Sequence, residues 1–356
     1  MKRFLIVVAF NILYLSTSVK ATDYAILVSA GLATTDNTFS NSEYWYDLFL
    51  AYEDLVLNEG YAPANVFVFY GNGTSFNSSI TRYQLGLHGW GNIVDFDNAY
   101  NTLNTQFANI GAIVTNNDNL HIRWVVGHGW GNSATTATTP STAGTGRDPI
   151  NADDYWVLLQ NRNLCIRETE IIRIINQIPN SQRRKIVWMT CHSGCLTGGT
   201  NTLNNDRTVI ITASRWNQVS SAYTLPGETI HAQLNYVVTS ALFGENPLGT
   251  TYDADNNGDS VINLWELWRD ADVSPIMTSD PQLGNTSGLA NMIYIDEGLQ
   301  FNNITFPTNI EYRVDNFTTI NGTIQNNSNV RINIDQNFNA TGTFNAPSGA
   351  TLEITP

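Results

Sequence analysis

Short apolar runs alternate with segments of helical periodicity through most of the chain. The runs are rich in Val, Ile, Phe and Tyr, and several end at a glycine, which is typical of buried strands. Five strands are predicted, at residues 24–30, 65–70, 121–126, 185–190 and 208–213. Because these runs are apolar on both faces, we expect the sheet that they form to be covered on both sides.

The segments between the runs carry apolar residues at helical spacing. In residues 43–59, for example, Tyr44, Leu48 and Leu55 fall on one face, and Gly60 follows as a stop. Helices are predicted at residues 43–59, 95–108, 168–178 and 229–243, and a small hairpin at residues 155–167. Strands separated by helices predict an α/β fold, with a mostly parallel sheet and helices on both faces. Such sheets gather catalytic groups at the carboxyl ends of their strands.

The first 21 residues have the organisation of a secretory signal peptide. A basic start is followed by an apolar stretch to Leu15 and by small residues, with Val19 and Ala21 at the cleavage-site positions. The apolar stretch is too short to cross a bilayer, which needs roughly 20 residues. We therefore expect cleavage after Ala21 and a protein that is secreted, or exported to the periplasm, without a membrane span.

Two further regions depart from the alternating pattern. Residues 133–149 are rich in Thr, Ala, Ser and Gly, and they contain Arg147, so this loop is a candidate for activating self-cleavage. From residue 301 onward, helical signals end and short β patterns follow. The predicted organisation is a signal peptide at 1–21, an α/β domain at 22–300 and a small β-rich region at 301–356.

Composition excludes several classes of function. The chain has 17 Lys+Arg against 31 Asp+Glu, giving a formal net charge of −14. Loss of the signal peptide would remove three basic residues and no acidic ones, changing this charge to −17. A nucleic-acid partner is therefore not expected, because binding to phosphates needs a basic surface. With only 3 cysteines, the chain cannot be a disulfide-dense scaffold.

Two strand ends carry residues suited to nucleophilic catalysis. Cys191 follows the fourth apolar run, and His128 follows the third within the sequence Gly-His-Gly. A thiolate nucleophile needs a base or cation beside it and hydrogen-bond donors for the oxyanion. Either residue alone is a weak signal, but the two together, at two strand ends of one α/β chain, favour a catalytic pair.

These segments resemble the legumain (asparaginyl endopeptidase) family, within the caspase-fold cysteine peptidases. The resemblance rests on an apolar strand before His128-Gly129, another before Cys191-x-Ser193-Gly194, and matching segments in order from residue 23 to residue 245. It implies a caspase-like fold and endopeptidase activity, with Cys191 as nucleophile and His128 as its proton-transferring partner. It also implies an oxyanion hole formed by the backbone N–H groups of Gly129 and Cys191.

The resemblance also implies the lining of the substrate pocket. The family usually has Glu before the cysteine, where this chain has Thr190, and an Arg-His pair where alignment puts Glu43 and Tyr44. The segment after the cysteine contributes Ser214 and Ser220. Because Glu43 replaces a cation, we expect a preference for basic residues instead of Asn before the cleaved bond.

Other histidines are weaker candidates for the base. His192 adjoins Cys191, and neighbouring side chains on a strand point to opposite faces. His88 lies in the connection between the second strand and the following helix, although it repeats the sequence His-Gly-Trp-Gly-Asn found at 128–132. We expect His121 and His231 to be structural.

Cys195 leaves two alternatives open. A zinc site could use Cys191, His192 and Cys195, although no second cluster of ligands follows in the sequence. Alternatively, Cys165 and Cys195 could form a disulfide in an oxidising compartment, which would leave Cys191 as a thiol.

A twelve-residue segment fits the EF-hand pattern for Ca²⁺. Hard oxygen ligands at regular spacing followed by a helix are what calcium binding requires. The candidate ligands are Asp255, Asn257, Asp259, Val261 (through its carbonyl), Asn263 and Glu266. The departure from the pattern is Ser260 in place of glycine, and the alternative register from Asp253 keeps Gly258 but loses the final carboxylate. We expect structural calcium and no organic cofactor.

The sequence thus predicts an exported cysteine endopeptidase that hydrolyses peptide or protein substrates through an acyl-enzyme. The alternative is a non-catalytic extracellular binding or adhesion protein on the same scaffold. The substitutions at Thr190 and Glu43 favour the alternative, whereas the presence of both Cys191 and His128 favours the enzyme.

Overall fold

The computed structural model describes most of the α/β domain and the strands of the C-terminal region. The described residues are 21–31, 43–131, 155–159, 164–179, 181, 183–197, 203, 208–216, 218–224, 230–255, 262, 264–284, 292–295, 299–306, 310–314, 317–324, 329–334, 344–345 and 351–355. The predicted signal peptide up to residue 20 and the loop at 133–149 lie outside them.

Strands and helices alternate along the described chain. The strands are β1 (Asp23–Ser29), β2 (Val66–Tyr70), β3 (Asn119–Val126), β4 (Gly129–Gly131), β5 (Tyr155–Leu159), β6 (Leu164–Arg167), β7 (Arg183–Trp188), β8 (Thr208–Thr212), β9 (Ala222–Thr224), β10 (Ile230–Ala232), β11 (Gln282–Gly284), β12 (Met292–Ile295), β13 (Leu299–Phe306), β14 (Ile310–Val314), β15 (Phe317–Ile324), β16 (Asn329–Ile334), β17 (Phe344–Asn345) and β18 (Thr351–Thr355). The helices are α1 (Glu43–Glu53), α2 (Tyr100–Gly111), α3 (Glu168–Ile175), α4 (Gln233–Phe243) and α5 (Leu264–Val273). None of these helices has the length and apolar character needed to cross a membrane.

A six-stranded sheet forms the centre of the α/β domain. Its strand order is β2–β1–β3–β7–β8–β11, with the first five strands parallel and β11 antiparallel to β8. The predicted α/β fold with a mostly parallel sheet is therefore confirmed. All residues of β3, β7 and β8 are buried, as expected for central strands covered on both faces.

Helices cover both faces of this sheet. On one face, α1, α4 and α5 pack through buried apolar residues such as Leu48, Leu234 and Leu267. On the other face, α2 and α3 contribute Leu103 and Ile174 to a second cluster. Burial of such side chains stabilises the domain by roughly 25 cal/mol per Å² of apolar surface removed from water. Helices thus cover both faces of the sheet, and a substrate could reach the sheet only at the ends of its strands.

Several boundaries differ from the prediction. The first helix ends at Glu53 and continues as a π-helical turn, Asp54–Asn58, in which the buried carboxylate of Asp54 lies 3.3 Å from Arg123 on β3. Burial raises the pKa of Asp54 well above its usual value. Residues 230–232 form β10 rather than the start of the predicted fourth helix, because they pair with β9. Tertiary contacts in each case override the local helical pattern.

The C-terminal strands form two parallel sheets. One has the order β12–β14–β16–β18 and the other β13–β15–β17, so successive strands alternate between the sheets. These strands begin at Met292, before residue 301.

Candidate active site

His128 and Cys191 follow the carboxyl ends of β3 and β7, which are adjacent strands of the sheet. The two strands are parallel neighbours in which Trp124 pairs with Trp188. Beyond this pair, the backbone N–H of Met189 donates a 2.9 Å hydrogen bond to the carbonyl of Trp124, so the chains stay adjacent as the strands end. His128 and Cys191 follow on these two adjacent segments.

Gly129 packs directly against the cysteine. A Cβ atom at this position would overlap the carbonyl oxygen of Cys191 and would lie 2.9 Å from the hydroxyl oxygen of Thr190. Only glycine can therefore bring the backbone of the His128 segment this close to the Cys191 segment. The contact explains why a glycine must follow the histidine at this strand end.

The sulfur of Cys191 contacts Ser220. The half-buried thiol donates a 3.5 Å hydrogen bond to the carbonyl oxygen of Ser220, and the Ser220 hydroxyl can donate to the sulfur at 3.7 Å. A hydroxyl donor at this position stabilises negative charge on sulfur. Ser220, which the resemblance implies for the substrate pocket, thus lies against the candidate nucleophile.

His192 has a left-handed backbone immediately after the cysteine. Its φ is +58°, an uncommon conformation for a residue other than glycine. Its N–H donates to the carbonyl of Gln218 at 2.8 Å, and its Nδ1 lies 2.9 Å from the carbonyl of Trp216. Burial lowers the pKa of this imidazole. The ring and the backbone N–H of His192 therefore join Trp216 and Gln218 to the turn.

The strand argument that the sequence suggests for His192 does not apply. β7 ends at Trp188, so Cys191 and His192 lie in a turn rather than on a strand. Strand alternation therefore gives no relation between their side chains, and the left-handed φ of His192 shapes the backbone of this turn. Strained backbone of this kind recurs at active sites.

His128 lies beside the start of α1. The half-buried imidazole forms an edge-on ring contact with Tyr44, with the ring centroids 6.4 Å apart. The carbonyl of Tyr44 accepts a 2.8 Å hydrogen bond from the hydroxyl of Ser29, which fixes α1 to the end of β1. Glu43, the first residue of α1, is half-buried next to Tyr44. The helix start thus forms one wall beside the histidine.

Thr190 and Ser214 lie beneath the cysteine and have no exposed surface. The Thr190 hydroxyl donates to the Cys191 carbonyl at 3.2 Å, and the Ser214 hydroxyl donates to the Thr190 carbonyl at 3.4 Å. The Ser193 hydroxyl accepts the N–H of Ala213 at 3.1 Å. These hydroxyl groups support the backbone of the Cys191 turn from the sheet side.

The other histidines have different surroundings. His88 lies in a short 3₁₀ turn, with Nε2 2.8 Å from a Glu53 carboxylate oxygen and its ring stacked on Trp90. His121 is buried within β3, and His231 is buried 2.6 Å from Asp47. In this structure His128 is the histidine that follows β3, beside the strand that leads to Cys191.

The structure does not support the two alternatives for Cys195. Cys195 is a buried thiol rather than half of a disulfide. Within the described residues, no group of three or more His, Cys, Asp or Glu side chains is arranged to hold a metal ion. The side chain of Cys165 lies outside the described residues.

Two of the six candidate calcium ligands are described. Asp255 is half-buried, and Glu266 is fully buried in the first turn of α5. A final carboxylate in the first turn of the helix that follows the loop is the placement that the EF-hand pattern requires. Asn257, Asp259, Val261 and Asn263 lie outside the described residues.

Sequence reasoning missed two features of this site. The ring contact between Tyr44 and His128 joins residues far apart in the chain, and the alignment of Tyr44 with a pocket position was the one available signal. The left-handed conformation of His192 had no signal, because residues with a Cβ rarely adopt it.

No family model matches this chain, and no curated protein matches it. Among solved structures, it is similar to caspase-1 from Spodoptera frugiperda, with 10% identity, a TM-score of 0.41, and coverage of 75% of this chain and 89% of that chain. It is also similar to a structural genomics target from Geobacter sulfurreducens, with 10% identity, a TM-score of 0.42, and coverage of 74% and 94%.

Proposed function

We propose that this protein is a secreted cysteine endopeptidase with a caspase-like fold, in which Cys191 is the nucleophile and His128 transfers the protons. The observation that carries the proposal is the adjacency of the two strand ends, with Gly129 packed against Cys191. A thiol and an imidazole that follow neighbouring strand ends of a parallel sheet can act as a nucleophile and its base. Export follows from the signal-peptide pattern of residues 1–21.

The reaction has two steps that share the same groups. His128 takes the thiol proton, the Cys191 thiolate attacks the peptide carbonyl, and His128 gives this proton to the leaving amine, which leaves an acyl-enzyme. Water then attacks the thioester as His128 accepts its proton. The acid product leaves, and the proton returns to sulfur. The N–H groups of Gly129 and Cys191 would receive the oxyanion in both steps.

The start of α1 is the proposed source of substrate preference. Glu43 precedes Tyr44 in α1, and Tyr44 contacts His128, so we assign the Glu43 carboxylate to the edge of the proposed cleft. An acidic group here favours a basic side chain on the residue before the cleaved bond. A peptide library should therefore give higher kcat/KM for Arg or Lys than for Asn, and Glu43→Gln should reduce the ratio about tenfold. Equal rates for all three residues would contradict this preference.

Labelling by an electrophilic peptide tests the function directly. We expect a peptidyl chloromethyl ketone with a basic terminal residue to modify the protein once, at Cys191, and the protein to hydrolyse the matching peptide amide. Cys191→Ala should abolish both signals, and His128→Ala should reduce turnover by at least a hundredfold. Cys195→Ala and His88→Ala are the matched controls and should retain both. Binding of the peptide without labelling or turnover would favour the non-catalytic binding protein.

The segment at 255–266 is proposed to hold a structural calcium ion. The buried carboxylate of Glu266 at the start of α5 and the half-buried Asp255 are consistent with the two ends of such a loop. The residues that would hold the ion are Asp255, Asn257, Asp259, Val261, Asn263 and Glu266. A bound cation would offset the cost of burying the Glu266 carboxylate.

A further inference from the structure

A fully buried histidine joins three elements behind the proposed cleft. His231 in β10 has no exposed surface, and its Nδ1 lies 2.6 Å from Oδ1 of Asp47 on α1. Its Nε2 lies 3.1 Å from the hydroxyl of Tyr83, in the connection between β2 and α2. With Nδ1 bonded to Asp47 and Nε2 to Tyr83, the imidazole joins all three side chains through hydrogen bonds. We call Asp47, His231 and Tyr83 the buried clamp.

Further hydrogen bonds fix the carboxylate and the backbone carbonyl of Asp47. Oδ2 of Asp47 accepts the backbone N–H of Ala232 at 2.7 Å, and the side-chain amide of Asn235 donates to the Asp47 carbonyl at 3.3 Å. Burial raises the pKa of Asp47, whereas His231 and the Ala232 N–H act in the opposite direction. Because an unpaired buried carboxylate is costly, this set of donors gives α1 and β10 one strongly preferred arrangement.

Two of the joined elements are walls of the proposed cleft. α1 begins at Glu43 and at Tyr44, which contacts His128. The hairpin of β9 and β10 follows Ser220, whose carbonyl accepts the hydrogen bond from the thiol of Cys191. The N–H of Gln233, directly after β10, donates to the carbonyl of Ser221 at 3.1 Å. The clamp therefore connects the wall beside the histidine to the wall beside the cysteine.

We infer that the buried clamp sets the distance between these two walls, and that His231 is a positioning residue for the binding of an extended peptide. This inference rests on the proposed peptidase function. Asp47, His231 and Tyr83 have no exposed surface, so none of them can touch a substrate in the cleft. Their loss is expected to weaken peptide binding more than it slows the breaking of the bond.

The first test compares two buried histidines. His231→Leu should raise KM for a peptide amide about tenfold and keep kcat within threefold of the wild type. Labelling of Cys191 by iodoacetamide, which needs no peptide subsites, should keep its rate. His231→Asn, whose amide can still donate to Asp47, should recover part of the loss. His121→Leu is the matched control: it also removes a buried histidine, but from the middle of β3, and should leave KM unchanged.

The second test measures the hairpin without substrate. Hydrogen exchange at residues 218–224 should become at least tenfold faster in His231→Leu and should not change in His121→Leu. Tyr83→Phe removes one hydroxyl at nearly constant volume, so this variant tests the clamp if His231→Leu does not fold. It should raise KM about threefold and speed exchange in the same residues.

The results of these tests distinguish a failure of the clamp inference from a failure of the proposed peptidase function. If the variants leave both KM and exchange unchanged, the clamp does not position the walls, whatever the activity of the wild type. If KM and kcat change together with no local change in exchange, His231 is a general structural residue and the inference is overturned. If the wild type neither reacts with the peptide probe nor hydrolyses peptides, the proposed function fails, and exchange at residues 218–224 alone decides whether the clamp holds the hairpin.

Discussion

Gly129 is the residue on which the proximity of the two strand ends depends most directly. Its missing side chain leaves room for the Cys191 carbonyl, and any Cβ would push the histidine segment away. Shifts of about 1 Å can cost roughly a hundredfold in rate when a base and a nucleophile must be aligned. A glycine that looks like a simple turn signal in the sequence is therefore part of the geometry of the site.

Gly129→Ala should reduce kcat/KM for a peptide amide by at least about a hundredfold, because the N–H donor and His128 both move relative to the sulfur. Steady-state kinetics on the purified variant measures this. Gly91→Ala is the control, since a Cβ at Gly91 has open space around it, and its kinetics should match the wild type. Full activity of Gly129→Ala would show that the close contact has no role in catalysis.

The buried His121 makes the free energy of unfolding depend on pH in the acid range. The residue is 4% exposed, and among the described residues neither ring nitrogen has a hydrogen-bond partner. Burial, followed by the charges of Arg123 and Lys185, holds its pKa well below 6.5. The folded protein thus keeps the ring neutral, whereas the unfolded chain binds a proton below about pH 6.5. Stability from this residue is present above that pH and falls as the pH falls through it.

His121→Leu should remove this contribution to acid sensitivity. Between pH 6.5 and 5.5, the free energy of unfolding of the wild type should fall by roughly 1 kcal/mol more than that of the variant. Urea unfolding at the two pH values measures the difference. His88→Leu is the control variant, because it removes a histidine that pairs with Glu53 and stacks on Trp90 instead of one buried within β3. Parallel pH profiles of wild type and His121→Leu would contradict the assignment.

At the scale of elements, the ends of helices and strands carry most of the proposed chemistry. α1 begins beside His128, β7 leads into the Cys191 turn, and β9 follows Ser220. The β9–β10 hairpin was not predicted, because its strands have three residues each and give no clear alternation. In the fold, His231 and the backbone N–H of Ala232 in β10 form hydrogen bonds with Asp47 on α1.

The first turn of α5 gives a prediction for metal removal. A hundredfold excess of calcium over its Kd should stabilise the protein by about 2.7 kcal/mol, which corresponds to a rise in Tm of roughly 5 °C over the chelated protein. Thermal unfolding with calcium and with EGTA measures this shift. Glu266→Gln should abolish it, whereas Asp272→Asn, an exposed acidic residue on the same helix, should retain it. A Tm independent of calcium in the wild type would argue against the site.

At the scale of the whole molecule, the negative net charge and the position of the proposed cleft both favour the approach of cationic substrates. The chain carries a formal net charge of −14, and the proposed cleft lies at the carboxyl edge of the parallel strands. A negative protein attracts cationic substrates over distances of about the Debye length, which is roughly 10 Å at 0.1 M salt. Charge therefore reinforces the preference for basic residues proposed for Glu43.

The kcat/KM for a peptide of net charge +3 should fall about threefold to tenfold between 0.05 M and 0.5 M NaCl. A neutral peptide with the same residue before the cleaved bond is the control, and its kcat/KM should change less than twofold. Both are measured with the same enzyme preparation at one pH. Equal salt dependence for the two peptides would exclude long-range attraction as a contribution.

The sequence by itself determined the α/β class, the positions of the five parallel strands and the presence of His128 and Cys191 at two strand ends. These features are local, because apolar runs and helical periodicity act over neighbouring residues. The tertiary structure decided which strand ends meet, how closely Gly129 approaches Cys191, and that His231 pairs with Asp47. Each of these contacts joins residues that are distant in the chain. Such contacts depend on strand order and packing, which the periodicity of neighbouring residues does not determine.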